Sequence, residues 1–260
     1  MKSELLSKIE EIPEFELTSV YVRKKKQNSF RAVVEKKGTE AIAVVSDKYN
    51  LVQIKELFRN VVECCGENIN GVVLYYKGKG ELMVFPDGSN VGLLAQNSVD
   101  LSSAVRIGFV AKTESGEILN IPYTVAEPFV RIHTAKDIQV QIGYYLNLLE
   151  QVKKAWGQIV TSLGALELTR EDIEQLKKSM RAGKCLSKII DEHLPDPNQG
   201  TLAQVRFWEF VQIVMKAIAE HRRRYKSELN FSRKIRKIGN IILEWAVFEK
   251  LKMSLEPRPS

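Results

Sequence analysis

The chain has 260 residues, of which 44% are apolar and 27% charged, with three cysteines and a net charge of +7. That length holds one large core or two modest ones, and Cys64-Cys65 with a lone Cys185 is neither a disulfide framework nor a zinc pattern. No run approaches the roughly 18 apolar residues of a membrane span, and the acidic start MKSELLSKIEEIPEF lacks a signal peptide's basic and apolar blocks, which predicts a cytoplasmic protein with no membrane partner.

The first half reads as mixed α and β. A short helix over residues 3–12 stops at Pro13, and β-branched runs follow at 15–23, 29–36 and 40–46. The spacing of Ile54, Leu57, Phe58, Val61 and Val62 predicts a helix over 53–65. Extended runs then recur at 71–77, 81–86, 91–97, 104–112 and 117–123. Gly78-Lys79-Gly80 and Glu114-Ser115-Gly116 read as hairpin turns, since glycine supplies the positive φ that tight turns need.

In the second half the period changes. Ile138, Ile142, Tyr145, Leu149, Val152, Trp156, Ile159 and Leu163 alternate steps of four and three, an apolar seam that predicts one long helix. The seam must be covered by later helices or by a second copy, so a homo-oligomer through 138–163 is one expectation. Thr169 caps a helix to Ala182, PDPNQG (195–200) reads as a linker, and Thr201 precedes a further helix. The last helix carries Phe231, Ile235, Ile238, Ile242 and Trp245 on one stripe, with Arg233, Lys234, Arg236 and Lys237 expected on the opposite side. The expected fold class is α+β, an antiparallel sheet with packed helices followed by a helical C-terminal region. The expected divisions are a sheet domain (1–135), a long helix with helical connector (136–194), the linker, and a basic helical pair (201–260).

Charge is the most informative feature. Nine Lys/Arg between Lys216 and Lys237 face only Glu220 and Glu228, a local excess equal to that of the whole chain. Seven more between Arg23 and Lys37 face only Glu35, which leaves the remaining chain net acidic. Such separation suits a polyanion, and single-stranded DNA is the expected partner. Candidate phosphate contacts are Arg222, Arg223, Arg224, Lys226, Arg233, Lys234, Arg236 and Lys237, with Arg23, Lys24, Lys25 and Lys26. Tyr75 or Tyr76 and Tyr225 are stacking candidates, and Tyr21, Phe30 and Phe231 also interleave with the cations. Arg131 and His133, two apart on an extended segment, share a face that suits a phosphate.

No catalytic signature accompanies this charge. GxxxxGK[ST], HExxH and GxSxG are absent, and His133, His193 and His221 are scattered, so neither a cofactor nor a metal is expected. Phe85-Pro86-Asp87 resembles the opening of a PD…(D/E)xK nuclease, but Glu35-Lys36-Lys37 completes it only in reversed order, and Pro-Asp-Gly-Ser is also a good turn. A metal-dependent nuclease using Asp87 is therefore one alternative function. A structural or host-interaction protein with a basic docking face is the other.

Three segments carry a family resemblance. AVVSDKYNLVQIKELF (43–58), LLAQNSVDLSSAVRIGFVA (93–111) and PFVRIHTAKD (128–137) resemble those of a phage- and plasmid-borne family catalogued as domain of unknown function 932. Val99 and Leu101 stand where that family prefers His and Gly. The resemblance implies a mobile-element protein. A weaker, fold-level likeness to phage single-strand annealing proteins implies a basic groove and assembly into rings or filaments.

Overall fold

A computed structural model describes residues 2–100, 102–113, 116–131, 138–194, 205–220 and 222–251. The chain is α+β, as its periodicities predict, and separates into two compact units. The first comprises Met1–Val110 and Pro128–Glu150, the second Ala111–Glu127 and Gln151–Ser260. The division does not follow the expected boundary at residue 135. Residues 111–127 group with the later helices, and the long helix runs through the division.

The first unit opens with helix α1 (Lys2–Glu10) and strands β1 (Phe15–Val22), β2 (Lys25–Glu35) and β3 (Ala41–Ser46), which form a three-stranded antiparallel sheet in that order. Helix α2 (Ile54–Cys64) and strands β4 (Ile69–Tyr76), β5 (Lys79–Pro86), β6 (Val91–Ser98) and β7 (Val105–Lys112) follow. A second sheet has the order β4-β5-β6-β7-β8, with β9 (Phe129–Arg131) also against β7; β8 is Ile118–Asn120. Ile54, Leu57, Phe58, Val61 and Val62 are all buried on one side of α2, and burial of each such side chain contributes about 1.5–3 kcal/mol. Glycine lets α2 approach the sheet: a Cβ on Gly80 would lie 2.5 Å from Ile54 Cγ2 and 2.9 Å from Phe58 Cζ.

Three tight turns organise these strands. Lys77-Gly78 joins β4 to β5 with φ of 46° and 76°, and Tyr76 is already paired with Lys79. The expected turn at 78–80 thus sits one residue earlier. Asp87-Gly88, with φ of 53° and 68°, turns β5 into β6, and the Ser89 N–H donates to the Pro86 carbonyl at 3.0 Å. Arg23-Lys24 joins β1 to β2 at φ of 49° and 65°, with Val22 paired to Lys25. Two consecutive positive-φ corners are the signature of the hairpin turn that follows strand twist. Of the expected turn at 114–116, Glu114 and Ser115 lie outside the described residues.

Helix α3 (Ile138–Gly164) forms as its seam predicts. Ile142, Tyr145, Leu149, Val152, Trp156, Ile159 and Leu163 are all buried within a single chain. Tyr145 meets Phe109 in the first unit, and Trp156 meets Trp208 edge-on in the second, ring centroids 5.5 and 6.5 Å apart. Of the two ways of covering the seam, the fold uses the chain's own residues, and it gives no support to self-association through 138–163. The described seam residues are already covered by their own chain, and a partner would have to displace them from a core.

The second unit continues with the short ladder of β10 (Glu167–Leu168) and β11 (Val205–Arg206) and helices α4 (Arg170–Ser179), α5 (Lys184–His193), α6 (Phe207–Glu220) and α7 (Glu228–Trp245). Thr169 caps the start of α4 as expected, and Asp172 returns the bond to close a reciprocal capping box. The linker 195–200 and the cap at Thr201 lie outside the described residues. Ser227 caps α7 by accepting from the Asn230 N–H, and residues Ala246–Lys250 continue it as one π-helical turn. Gly239 lets α7 come close to its neighbours: a Cβ there would lie 2.5 Å from Leu119 Cδ2 and 3.5 Å from Met215 Cε.

Candidate nucleic-acid interface

The two basic stretches belong to different units, and the fold treats them differently. In the second unit Arg222–Arg224 form a single 3-10 turn before α7. Arg223, Lys226 and Lys237 are exposed, Arg233 and Lys234 half-buried. Arg222 is exposed but forms an ion pair with Glu228, and its guanidinium lies 5.4 Å from the Phe231 ring centroid. The side chain of Arg224 lies outside the described set.

Arg236 corrects the expected pattern. It is 2% exposed and donates to Ser232 Oγ at 2.6 Å, so it belongs to the packed face of α7. Leu229, Arg236, Ile238, Gly239, Ile242 and Leu243 are the buried positions, whereas Phe231 and Ile235 are only half-buried. Compared with the stripe read from large apolar residues, the packed face is rotated by roughly 80° towards Gly239. The physical reason is the smooth surface at Gly239, which admits Leu119 where a larger residue would hold it away.

In the first unit the β1–β2 hairpin presents its cations at the tip. Arg23, Lys24, Lys25 and Lys26 are all exposed, and none of them is ion-paired to a carboxylate among the described residues. Arg23 and Lys24 occupy the two left-handed corners, where a non-glycine residue costs about 1–2 kcal/mol. Tyr21 lies directly across the ladder from Lys26 and is 63% exposed. Between the pairs Ser19–Arg31 and Val20–Gln27 the register shifts, and the bulge this makes in β2 carries Phe30, 50% exposed.

The expected stacking residues are less open. Tyr75 is half-buried, and its hydroxyl accepts the Gly78 N–H at 3.0 Å; burial pushes its phenol up, against the opposing effect of that bond. The Lys77 ammonium lies 5.6 Å from the half-buried Tyr76 ring. Tyr225 packs against Phe231 at 5.5 Å. Arg131 is exposed and lies 5.5 Å from the Phe129 ring, while His133 falls outside the described residues, so their pairing is not placed.

Asp87 stands at an exposed turn corner, and among the described residues no three His, Cys, Asp or Glu side chains converge as metal ligands. Asn97, Ser98, Asp100 and Ser103 form a polar brace to which sequence patterns assign no role. Asn97 Nδ2 donates to the Val52 carbonyl at 2.8 Å, Ser98 Oγ to the Ser103 carbonyl at 2.9 Å, and Lys79 pairs with Asp100 at 3.0 Å. Burial, with the charge of Asp100, pushes the Tyr49 phenol up to about 12. The Ser98–Ser103 bonds tie the end of β6 to the residues before β7. The only sequence signal for them is the density of Asn, Ser and Asp between two strands.

Among the described residues no helix is long and apolar enough to cross a membrane. No family model matches the chain, and no curated protein or solved structure matches it.

Proposed function

We propose that this protein binds nucleic acid, single-stranded DNA in preference to duplex, in the replication or recombination of a phage or plasmid, without catalysing a reaction on it. One observation carries the reading: four consecutive exposed cations at the tip of the β1–β2 hairpin with no carboxylate neutralising them among the described residues. Clustered cations gain affinity by releasing the counterions condensed on a phosphate backbone. Arg223, Lys226 and Lys237 supply a second, sparser set in the other unit. The resemblance to the phage and plasmid family supplies the mobile-element setting.

A salt-titrated binding assay on the full chain with single-stranded DNA, duplex DNA and RNA of equal length tests this. The expected result is tightest binding to single-stranded DNA, with affinity falling steeply as salt rises. Failure to bind any oligomer at low salt would refute the reading. Binding of acidic proteins in the same buffer would then favour a docking face for a protein partner.

A further inference from the structure

We infer that the β1–β2 hairpin distinguishes unpaired from paired strands, with Tyr21 stacking on an exposed base while Arg23–Lys26 hold the adjoining phosphates. This rests on the nucleic-acid reading above and adds the residue that selects the strand. The first support is a comparison with the other rings that accompany the basic stretches. Tyr75 is tied by its hydroxyl, Tyr76 lies beside a lysine, Tyr225 and Phe231 pack together, and Arg222 lies against Phe231. The Tyr21 side chain has no hydrogen-bond, ring or cation partner among the described residues, and more than half of the residue meets solvent. Phe30 is likewise open, at most about 13 Å further along the same ribbon from Lys26, the residue opposite Tyr21. Stacking needs an uncovered face, and a duplex keeps its base faces inside its own stack.

The second support is the turn. The same chain builds two other tight turns with positive-φ corners, at Lys77-Gly78 and Asp87-Gly88, and each places glycine at the second corner. The β1–β2 turn places arginine and lysine there, at φ of 49° and 65°. Residues that the backbone disfavours, carrying like charges beside two more lysines, indicate a tip shaped for a ligand rather than for stability. An exposed ring across the ladder from the last of these cations gives that ligand a base as well as a phosphate.

The test uses the full chain with labelled oligothymidylate and a duplex of equal length. Tyr21→Leu keeps apolar bulk and removes the ring; it should weaken single-strand binding about tenfold and leave duplex binding within about twofold. Equal losses on both, or none on either, would overturn the inference. Arg23→Asn/Lys24→Gly installs the favoured turn residues, and should raise the melting temperature while weakening binding to both oligomers. A raised melting temperature with unchanged binding, or a lowered one, would count against the hairpin. Photocrosslinking of wild-type protein to iododeoxyuridine-substituted single strands supplies a readout free of folding effects. An adduct at Tyr21 supports the assignment, and adducts confined to other residues refute it. If the wild type binds neither oligomer, the general function fails instead, a distinct outcome.

Discussion

Arg23–Lys26 and Arg222–Lys237 look alike as strings of cations, yet one is displayed at a turn and the other is partly absorbed by a helix. At the hairpin tip every cation is exposed and unpaired among the described residues. Along the second stretch, Arg222 meets Glu228 and Arg236 is buried beside Ser232. Just beyond it, Lys250 pairs with Asp172 at 2.7 Å. A turn projects all of its side chains, whereas a helix with one packed face turns some of its residues inward whatever their charge. Counting charges along a chain therefore overstates the polyanion surface of a packed helix and understates that of a hairpin.

The largest effect that would sharpen this contrast is at Arg236. Arg236→Ala removes a long buried side chain and its bond to Ser232, and should lower stability by about 2–4 kcal/mol in urea unfolding. The matching change at exposed Lys237 should stay within about 0.5 kcal/mol. Equal and small effects at both sites would mean that α7 does not pack on its Arg236 side. Gly239→Ala examines the same face from its smooth centre. Leu119 is fully buried and cannot easily withdraw from the added methyl, so overpacking should cost about 1–3 kcal/mol.

Asp172 gives a smaller, pH-dependent effect. Burial pushes its carboxyl up, but the bonds from Lys250 and Thr169 outweigh that and hold it below the usual carboxylate value. A carboxyl depressed in the folded state contributes stability above its unfolded value, near 3.9, and loses it as pH falls through the folded value. Asp172→Asn should therefore cost about 1 kcal/mol at neutral pH, as the capping box and the tie to Lys250 weaken. The gap from wild type should close as the pH drops below about 4. A gap that stays constant down to pH 2 would show that the carboxylate's charge plays no part there.

Much of the fold is legible from periodicity alone. The α3 seam, the α2 stripe and the Thr169 cap announce themselves, because each is a local pattern whose cause lies in the residues that form it. The orientation of α7 is not legible. It depends on Gly239 meeting Leu119, a contact across 120 residues of chain that no local window contains. The β1–β2 turn escapes notice because Arg-Lys carries none of the Gly or Asn signal that usually marks positive φ, although the run of cations itself is plain in the sequence. Tyr75, Tyr76 and Tyr225 are plausible rings by neighbourhood, but exposure is a tertiary property, and it separates them from Tyr21.

The smallest change in stability accompanies the most direct reading of the contrast. Replacing single exposed cations by glutamine should alter unfolding by no more than about 0.5 kcal/mol at either site. For each phosphate that is no longer neutralised, the logarithmic salt slope of single-strand binding should become shallower by about 0.7. Lys25→Gln and Lys26→Gln at the hairpin should each show close to that full change, since no carboxylate among the described residues competes for them. Arg222→Gln should show much less, because Glu228 already neutralises the guanidinium in the free protein and holds it from a phosphate. If Arg222 instead carries the larger slope, the strand lies along the second unit's helix and the ion pair opens to receive it. The hairpin would then keep its strained, charged turn for some other purpose.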